Sequence, residues 1–166
     1  MHDLADGRTH EGDSPDPFVI LGQYLDQDGW YPCQLEGKPI YRVFFNGKNG
    51  ELRCYAQIHQ ALAHLLFYAV APVKVPVESR PAVAEFITRA NYGMRIGNFE
   101  MDYSDGEVRY KSSLDFEGEA LTANWIRNAI HPAVQTMDRY LNGLMAVIFC
   151  DKAPADAIAD VEGDTD

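Results

Sequence analysis

One stretch decides the fold, residues 83–114, which has the sequence VAEFITRANYGMRIGNFEMDYSDGEVRYKSSL. Its first part spaces apolar residues at the i, i+3, i+4 and i+7 positions of a helix and stops at Asn91-Tyr92-Gly93. Its second part alternates apolar and polar residues on either side of Asp105-Gly106, a pair that favours a tight turn. The stretch therefore predicts a helix followed by a β-hairpin.

A two-residue turn at Asp105-Gly106 also predicts the register of this hairpin. It pairs Asp102 with Arg109 and Glu100 with Lys111, so opposite charges meet on one face. Each exposed pair contributes only about 0.2–1 kcal/mol, so the pairs indicate register more than they stabilise the fold. On the other face the same register pairs the large apolar residues Tyr103 with Val108 and Met101 with Tyr110.

Upstream of this stretch the pattern predicts a short helix and then strands. Asp16-Pro17 is a typical helix start, and an apolar face follows up to Gly29. Residues 30–39 form an irregular connection with room for a brief edge strand, because Pro and Gly interrupt them. At residues 65–71 the odd and the even positions are both apolar, which is typical of a central strand.

Between these segments lies another predicted hairpin, the first in chain order, which turns at residues 47–50. If Asn49-Gly50 is a two-residue turn, Phe44 faces Tyr55 and Phe45 faces Cys54. A slip of one residue would place every apolar side chain on the wrong face. The predicted apolar face consists of Tyr41, Val43, Phe45, Cys54, Ala56 and Ile58. The predicted polar face consists of Arg42, Asn46, Arg53 and Gln57, together with Phe44 and Tyr55.

Downstream, Thr122 is a typical N-cap for a long amphipathic helix with apolar residues at steps of three and four. Pro132 lies in its interior and predicts a kink there or a division into two helices. Taken together, these elements predict an α+β fold with a five-stranded antiparallel sheet and the order α-β-β-β-α-β-β-α.

The acidity of the chain lies at its two ends. The formal net charge is -11, of which -4 belongs to residues 1–17 and -5 to residues 151–166, leaving -2 for residues 18–150. Acidic segments with few apolar residues cannot offset the entropy cost of ordering. We therefore expect a disordered acidic tail at residues 1–16, one domain at residues 17–150 and a second disordered acidic tail at residues 151–166.

Composition also disfavours several classes of function. A central region of charge -2 is a poor source of a basic face for nucleic acid, so we expect no nucleic-acid partner. The longest apolar run is too short to cross a membrane, and no signal peptide is evident, which predicts a cytoplasmic protein without a membrane partner. Three widely spaced cysteines without a C-x-x-C pattern fit a reducing compartment.

No catalytic or metal-binding pattern is evident. His59 and His64 lack a third ligand at a usable spacing, so we expect no metal site. Asp102 and Asp115 could form a carboxylate pair, but the hairpin register assigns Asp102 to Arg109. His131 has no visible acid partner in the sequence, and the glycine-flanked turn at residues 47–50 is too short to bind phosphate as a P-loop does.

Three segments resemble the YbjN family, whose members are labelled sensory transduction regulators and share a secretion-chaperone-like fold. The likeness covers roughly residues 18–150. The segments are AEFITRANYG at 84–93, GNFEMD at 97–102 with DGEVRYK at 105–111, and TMDRYLNGLM at 136–145. The resemblance implies a compact domain built like the small chaperones that dimerise and hold a partner polypeptide. It implies no active site and no cofactor.

The first predicted hairpin supplies the candidate site. Phe44 and Tyr55 lie on an otherwise polar face beside Arg42 and Arg53, and aromatic groups ringed by polar ones are typical of a protein-binding patch. The alternative is that a tail, the first helix or a second subunit covers them. We therefore expect a non-enzymatic domain, chaperone-like or adaptor-like, that holds a polypeptide on a sheet face or edge. The resemblance also implies that the domain forms a homodimer. The alternatives are a regulatory domain that responds to a small ligand and, last, an enzyme.

Overall fold

The computed structural model describes residues 15–163. A six-stranded antiparallel sheet forms one layer, and the helices pack on one of its faces. The strands are β1 (Cys33–Gln34), β2 (Ile40–Asn46), β3 (Glu51–His59), β4 (His64–Lys74), β5 (Asn98–Met101) and β6 (Glu107–Asp115). The helices are α1 (Pro17–Gln27), α2 (Arg80–Asn91), α3 (Ala123–Phe149) and α4 (Pro154–Gly163).

The α+β class and the antiparallel sheet are confirmed, but the strand count of five is wrong. The sheet has six strands in the spatial order β1-β2-β3-β4-β6-β5. The additional strand is β1, in which Cys33 pairs with Arg42 and Gln34 pairs with Tyr41. It lies at the edge of the sheet, in the connection at residues 30–39 that left room for a brief edge strand, but two residues are too few to show periodicity. β4 lies in the middle of the sheet, as its apolar sequence predicted.

The predicted starts of the helices are confirmed. Asp16 caps α1, because its Oδ1 accepts a hydrogen bond from the Phe18 N–H at 2.9 Å. Thr122 caps α3, because its Oγ1 accepts from the Trp125 N–H at 3.4 Å. Pro132 does not divide α3, which continues as one helix across it. The residues on either side of Pro132 in the core, such as Ile130, are fully buried, and this packing offsets the lost backbone hydrogen bond.

The predicted register of the first hairpin is wrong by two residues. Phe44 lies opposite Arg53, whereas Asn46 pairs with Glu51, and residues 47–50 form a four-residue loop closed by the Gly47 N–H donating to the Gly50 carbonyl at 2.9 Å. A shift of two residues leaves every side chain on its predicted face, because side chains alternate with a period of two. The predicted faces are therefore confirmed although the pairs are not.

A side chain from α3 stabilises this wider loop. The Asp138 carboxylate accepts hydrogen bonds from the Lys48 N–H at 3.0 Å and the Asn49 N–H at 2.8 Å. A Cβ at Gly47 would lie 2.1 Å from Asp138 Oδ1, so glycine is needed for this close approach. A contact between residues about ninety positions apart thus overrides the local preference of Asn49-Gly50 for a two-residue turn.

The second hairpin is also shifted by two residues. Glu100 lies opposite Arg109 and Met101 opposite Val108, so the predicted Asp102–Arg109 pair is wrong. Instead, Asp102 Oδ1 accepts from the Ser104 N–H at 2.8 Å and closes a wider loop. Gly106 in this loop has a φ of +80°, and a Cβ there would lie 2.2 Å from the Val75 carbonyl oxygen. Glycine is required at this position for both reasons.

The C-terminal region also departs from the prediction. Residues 154–163, expected within a disordered acidic tail, form α4, which packs against α2 and α3. Its apolar residues are few but share one face, and Ala157 is 1 % exposed. Gly143 of α3 makes room for α4, because a Cβ there would lie 2.8 Å from Val161 Cγ2. The N-terminal tail prediction falls mainly on residues 1–14, outside the described residues.

All four helices contribute to one core beneath the sheet. The helices supply Leu21 and Leu25 from α1, Val83 from α2 and Ala157 from α4, and α3 supplies the largest share. The strands supply their inward residues, including Val43, Leu52, Cys54, Leu65, Phe67 and Tyr110. Within residues 15–163, no helix is both long and apolar enough to cross a membrane.

Candidate protein-binding face

The sheet face opposite the helices, which we call the outer face, carries the residues that the sequence singled out. Arg42 lies opposite Tyr55 and Phe44 lies opposite Arg53, so all four side chains are neighbours on β2 and β3. Phe44 is 50 % exposed, and Tyr55 is half-buried. The predicted contact of Phe44 with Tyr55 as direct partners is wrong, and the two are diagonal neighbours instead.

The outer face continues across β4 and β6. In one row, Tyr55 of β3 pairs with Tyr68 of β4, which pairs with Lys111 of β6. In the adjacent row, Val70 lies between Arg53 and Arg109. Apolar side chains therefore form a strip along the middle of the face, with cationic side chains on both sides.

Long cationic side chains cover part of this strip. Val70 is only 5 % exposed although it lies outside the core cluster, which is expected when the aliphatic parts of flanking arginines lie over it. The Arg109 guanidinium carbon is 4.3 Å from the centroid of the Tyr68 ring, a cation–π distance. Tyr68 and Arg109 belong to the candidate site, but the sequence pattern did not indicate them, because Tyr68 lies in a run in which odd and even positions are both apolar.

The β6 side of the outer face neutralises its own charge. Glu100 Oε2 accepts from Arg109 Nε at 2.9 Å, and Glu100 Oε1 forms an ion pair with Lys111 Nζ. Burial alone would raise the pKa of Glu100, but the hydrogen bonds and charges of Lys111 and Arg109 outweigh burial and hold the pKa below its usual range. The charges here are matched within the sheet.

A second cluster lies where α1 meets α3, and the sequence analysis missed it. Asp28 Oδ2 accepts from Trp30 Nε1 at 2.9 Å, Tyr24 Oη at 3.0 Å and His131 Nε2 at 2.9 Å. The expectation that His131 has no acid partner is therefore wrong. Asp28 and His131 are 103 positions apart, so no local spacing could indicate the pair.

The pKa values in this cluster follow from its hydrogen bonds. Burial and the bond to Asp28 raise the pKa of Tyr24 to about 12. Burial raises the pKa of Asp28, but the bonds donated by Trp30, His131 and Tyr24 outweigh it and lower that pKa overall. An ionised Asp28 is an acceptor only, so His131 Nε2 carries a proton. The carboxylate is thus occupied in joining α1 to α3.

The remaining candidates for chemistry do not converge. His59 and His64 are opposite each other at the end of the β3–β4 hairpin, and His64 Nε2 is 3.8 Å from Asp115 Oδ2. In the part of the chain that the structure describes, no group of three or more His, Cys, Asp or Glu side chains could hold a metal ion. Cys33, Cys54 and Cys150 are all free thiols.

Grooves also lie away from the outer face. A polar groove of about 460 Å³ lies between α3, α4 and the loop at residues 47–50, and its lining includes Asn142, Lys152 and Asp160. A more apolar groove of about 310 Å³ lies beside β6 and is lined by Ile96, Leu114 and Trp125 among others. β5 pairs with β6 only as far as Lys111, so β6 has an open edge beside this second groove.

The fold defines a class, that of small α+β domains with helices on one side of an antiparallel sheet, and no helix among residues 15–163 covers the other side. The family model described as "YbjN: Putative bacterial sensory transduction regulator" matches residues 18–145. The chain belongs to the YbjN family. No curated protein sequence matches it significantly.

Solved structures share this fold at low sequence identity. The crystal structure of YbjN from E. coli, described as a "putative transcription regulator", has a TM-score of 0.55 and 13 % identity, and the match covers 90 % of this chain and 94 % of that chain. A chain in the crystal structure of the ExsC-ExsE complex has a TM-score of 0.53 and 12 % identity, with coverage of 75 % and 90 % respectively. The likeness supports the predicted fold class.

Proposed function

We propose that this protein is a non-enzymatic, chaperone-like or adaptor-like domain that holds a polypeptide partner on its outer face. One observation carries the proposal. Phe44 is half exposed on a sheet face that bears an apolar strip with cations on both sides, and the four helices of the described chain all pack on the opposite face. Aromatic and arginine side chains in such a setting dominate the binding energy of protein interfaces.

Two further findings support this role over catalysis. The acid and histidine cluster at Asp28 is engaged in hydrogen bonds that join two elements. The fold is shared with a chain of the ExsC-ExsE complex, a protein that binds another protein, and this likeness supports a similar use here. The cytoplasm is the compartment we propose, since all three cysteines are free thiols.

Replacement of Phe44 tests the proposal. The tagged full-length chain and its Phe44→Ser variant are purified from native extract at physiological salt, and retained polypeptides are quantified by mass spectrometry. A partner retained in stoichiometric amount by the wild type should be reduced at least about tenfold in the variant, as expected for an aromatic side chain that anchors the interface. Phe149→Ser is the matched control, because Phe149 is 62 % exposed at the end of α3, away from the outer face.

Three results would contradict the proposal or place the polypeptide elsewhere on the domain. Equal losses in the Phe44→Ser and Phe149→Ser variants would contradict binding at the outer face. If instead Ile96→Asp removes the partner and Phe44→Ser does not, the polypeptide binds the open edge of β6 by strand addition. Retention of no polypeptide by the wild type would contradict the proposed function itself.

We also propose that the protein forms a homodimer, as small domains of this architecture with an open sheet edge can pair through it. Sedimentation velocity over a range of concentrations should show a species of twice the monomer mass. A single monomeric species at concentrations of about 100 μM, well above typical interface dissociation constants, would contradict it.

A second function, regulation by a small ligand, is supported by the polar groove of about 460 Å³ between α3 and α4. Pockets of about 300–1,000 Å³ bind small molecules. A thermal-shift screen of nucleotides and metabolites distinguishes this function from polypeptide binding. A ligand at a hundred times its dissociation constant stabilises the fold by about 2.7 kcal/mol. A ligand whose thermal shift is unchanged in the Phe44→Ser variant and absent in the Asn142→Ala variant would favour regulation by a small ligand.

A further inference from the structure

The two halves of the outer face differ in charge. On the β6 side, Arg109 and Lys111 are both paired with Glu100. On the side of β2 and β3, no carboxylate among residues 15–163 lies within ion-pair distance of Arg42 or Arg53. Free positive charge is therefore concentrated at one end of the apolar strip.

The Arg42 guanidinium is poorly satisfied. Its Nε is buried and has no hydrogen-bond partner in the described part of the chain, and its Nη2 is 4.0 Å from Cys33 Sγ, a weak acceptor. An arginine presents five N–H donors in a planar fork that matches a carboxylate. An acidic group from a partner would therefore supply acceptors that the protein itself does not.

The arrangement of the neighbouring side chains suits an extended polypeptide. Arg42 and Phe44 are two positions apart on β2, and their opposite residues on β3 are Tyr55 and Arg53. Cations and aromatic rings therefore alternate both along and between β2 and β3. In an extended peptide, alternate side chains project from the same side about 6–7 Å apart, so a carboxylate on one and an apolar group on the next would meet this pattern.

Arginine also binds phosphate, so nucleic acid must be considered. Binding to nucleic acid draws its affinity from several phosphate contacts and from long-range attraction. Here only Arg42 and Arg53 are free of carboxylate partners on the outer face among the described residues, and the whole chain carries a net charge of -11. These charges favour an acidic polypeptide over a polynucleotide.

We infer that the polypeptide held on the outer face is acidic, with a carboxylate bound by Arg42 and Arg53 beside an apolar or aromatic side chain that packs on Phe44. This inference rests on the proposed function, because it requires that the outer face bind a polypeptide. It adds the chemistry of the partner, which the family and the structural likeness leave open.

Phage display tests the inference. A library of random peptides about 12 residues long, enough to cross the sheet, is selected on the full-length chain, and the enriched peptides are synthesised. The affinities of the best peptide are measured by fluorescence anisotropy for the wild type and an Arg42→Gln/Arg53→Gln variant. The matched control is Arg95→Gln/Arg127→Gln, which removes the same number of charges from exposed positions on a loop and on α3.

The enriched peptides should contain an excess of Asp and Glu over the unselected library. The best peptide should bind the Arg42→Gln/Arg53→Gln variant at least about tenfold more weakly than the wild type, as expected for the loss of charge-assisted hydrogen bonds. The control variant should differ from the wild type by less than about twofold, since its charges are remote and screened. A peptide with Lys in place of its acids should prefer an Arg42→Glu/Arg53→Glu variant to the wild type.

Other outcomes would overturn the inference in distinguishable ways. In one such outcome, the selected peptides show no acidic enrichment, bind the Arg42→Gln/Arg53→Gln variant as well as the wild type, and lose affinity for Phe44→Ser. This outcome would overturn the inference and leave the proposed function standing. The absence of any binding peptide would overturn both. A single-stranded oligonucleotide that displaces the acidic peptide at a lower concentration than unlabelled peptide would overturn the assignment to a polypeptide. If the Arg42 substitution unfolds the domain, Arg53→Gln alone provides the test, because Arg53 is exposed.

Discussion

A single side chain of α3, that of Asp138, holds the loop that sets the pairing of β2 with β3. Asp138 accepts two backbone hydrogen bonds from the loop at residues 47–50, and Asn49 Nδ2 donates to the Asp138 carbonyl oxygen at 2.9 Å. Asn142, one turn further along α3, donates to Asn49 Oδ1 at 2.8 Å. The segment at residues 136–145 that resembles the YbjN family thus holds the first hairpin on the long helix.

Removal of this carboxylate should destabilise the whole domain. Asp138→Ala leaves the Lys48 and Asn49 N–H groups without their acceptor, which costs about 1–3 kcal/mol in the free energy of unfolding. Urea denaturation followed by circular dichroism measures the loss. The control is Asp156→Ala, an exposed acid on α4, which should change stability by less than about 0.5 kcal/mol. Equal effects would show that Asp138 does not support the loop.

The Asp28 cluster makes stability depend on acid pH. The pKa of Asp28 is lowered in the folded state, so its contribution is fully present above the unfolded pKa of about 3.9 and is lost as pH falls through the lower folded value. Between neutral pH and about pH 3, the wild type should therefore lose more stability than Asp28→Asn, whose side chain does not titrate. Parallel pH profiles of the unfolding free energy in the two proteins would contradict the assigned shift.

At the scale of elements, sequence patterns predicted the helices and the faces of the strands but not the pairing of the strands. The N-caps at Asp16 and Thr122 were correct because caps are local. Both hairpin registers were wrong by two residues because each loop is held by distant groups. Asp138 holds the first, and Val75, whose N–H donates to the Gly106 carbonyl at 2.8 Å, holds the second. Alternation predicts faces and does not distinguish a two-residue turn from a four-residue loop.

α4 shows that amino-acid composition alone does not predict whether a segment is ordered. Residues 154–163 contain three acids and few large apolar side chains, a composition typical of disorder. The helix forms because Ala157, Ile158 and Val161 lie on one face and meet a site that Gly143 leaves open. Small residues on two helices allow close packing, and the average hydrophobicity of a segment does not reveal such a fit.

The packing of α4 leads to a prediction about this element. Ala157→Asp places a charge at a position that is 1 % exposed and should lower the unfolding free energy by about 2–4 kcal/mol, or release α4 from the domain. Ala159→Asp adds the same charge on the exposed side of the same helix and should have little effect. Hydrogen–deuterium exchange over residues 154–163 separates local release from global unfolding. Identical exchange in the two variants would contradict the packing of α4.

In the described part of the protein, residues 15–163, the helices cover one face of the sheet and leave the outer face uncovered. The sequence indicated Phe44, Tyr55, Arg42 and Arg53, because two aromatic residues interrupted a polar alternation. It could not indicate that Tyr68 continues the same surface, because the side chains on both faces of β4 are mostly apolar. The charge asymmetry of the outer face also depends on the pairing of β5 with β6, which places Glu100 beside Arg109 and Lys111. The local hairpin pattern predicted that Glu100 and Lys111 meet, whereas the position of β6 beside β4, which sets this pair apart from Arg42 and Arg53, follows from strand order.

The central claim is that the outer face contacts a polypeptide, and site-specific photo-crosslinking tests it most directly. Phe44 is replaced by p-benzoylphenylalanine in the full-length chain in cells, with the same replacement at Phe149 as the control. After irradiation, the variant with the crosslinker at Phe44 should form a discrete adduct with a polypeptide that mass spectrometry identifies, and the Phe149 control should not. Adducts from Phe149 together with none from Phe44 would contradict the claim.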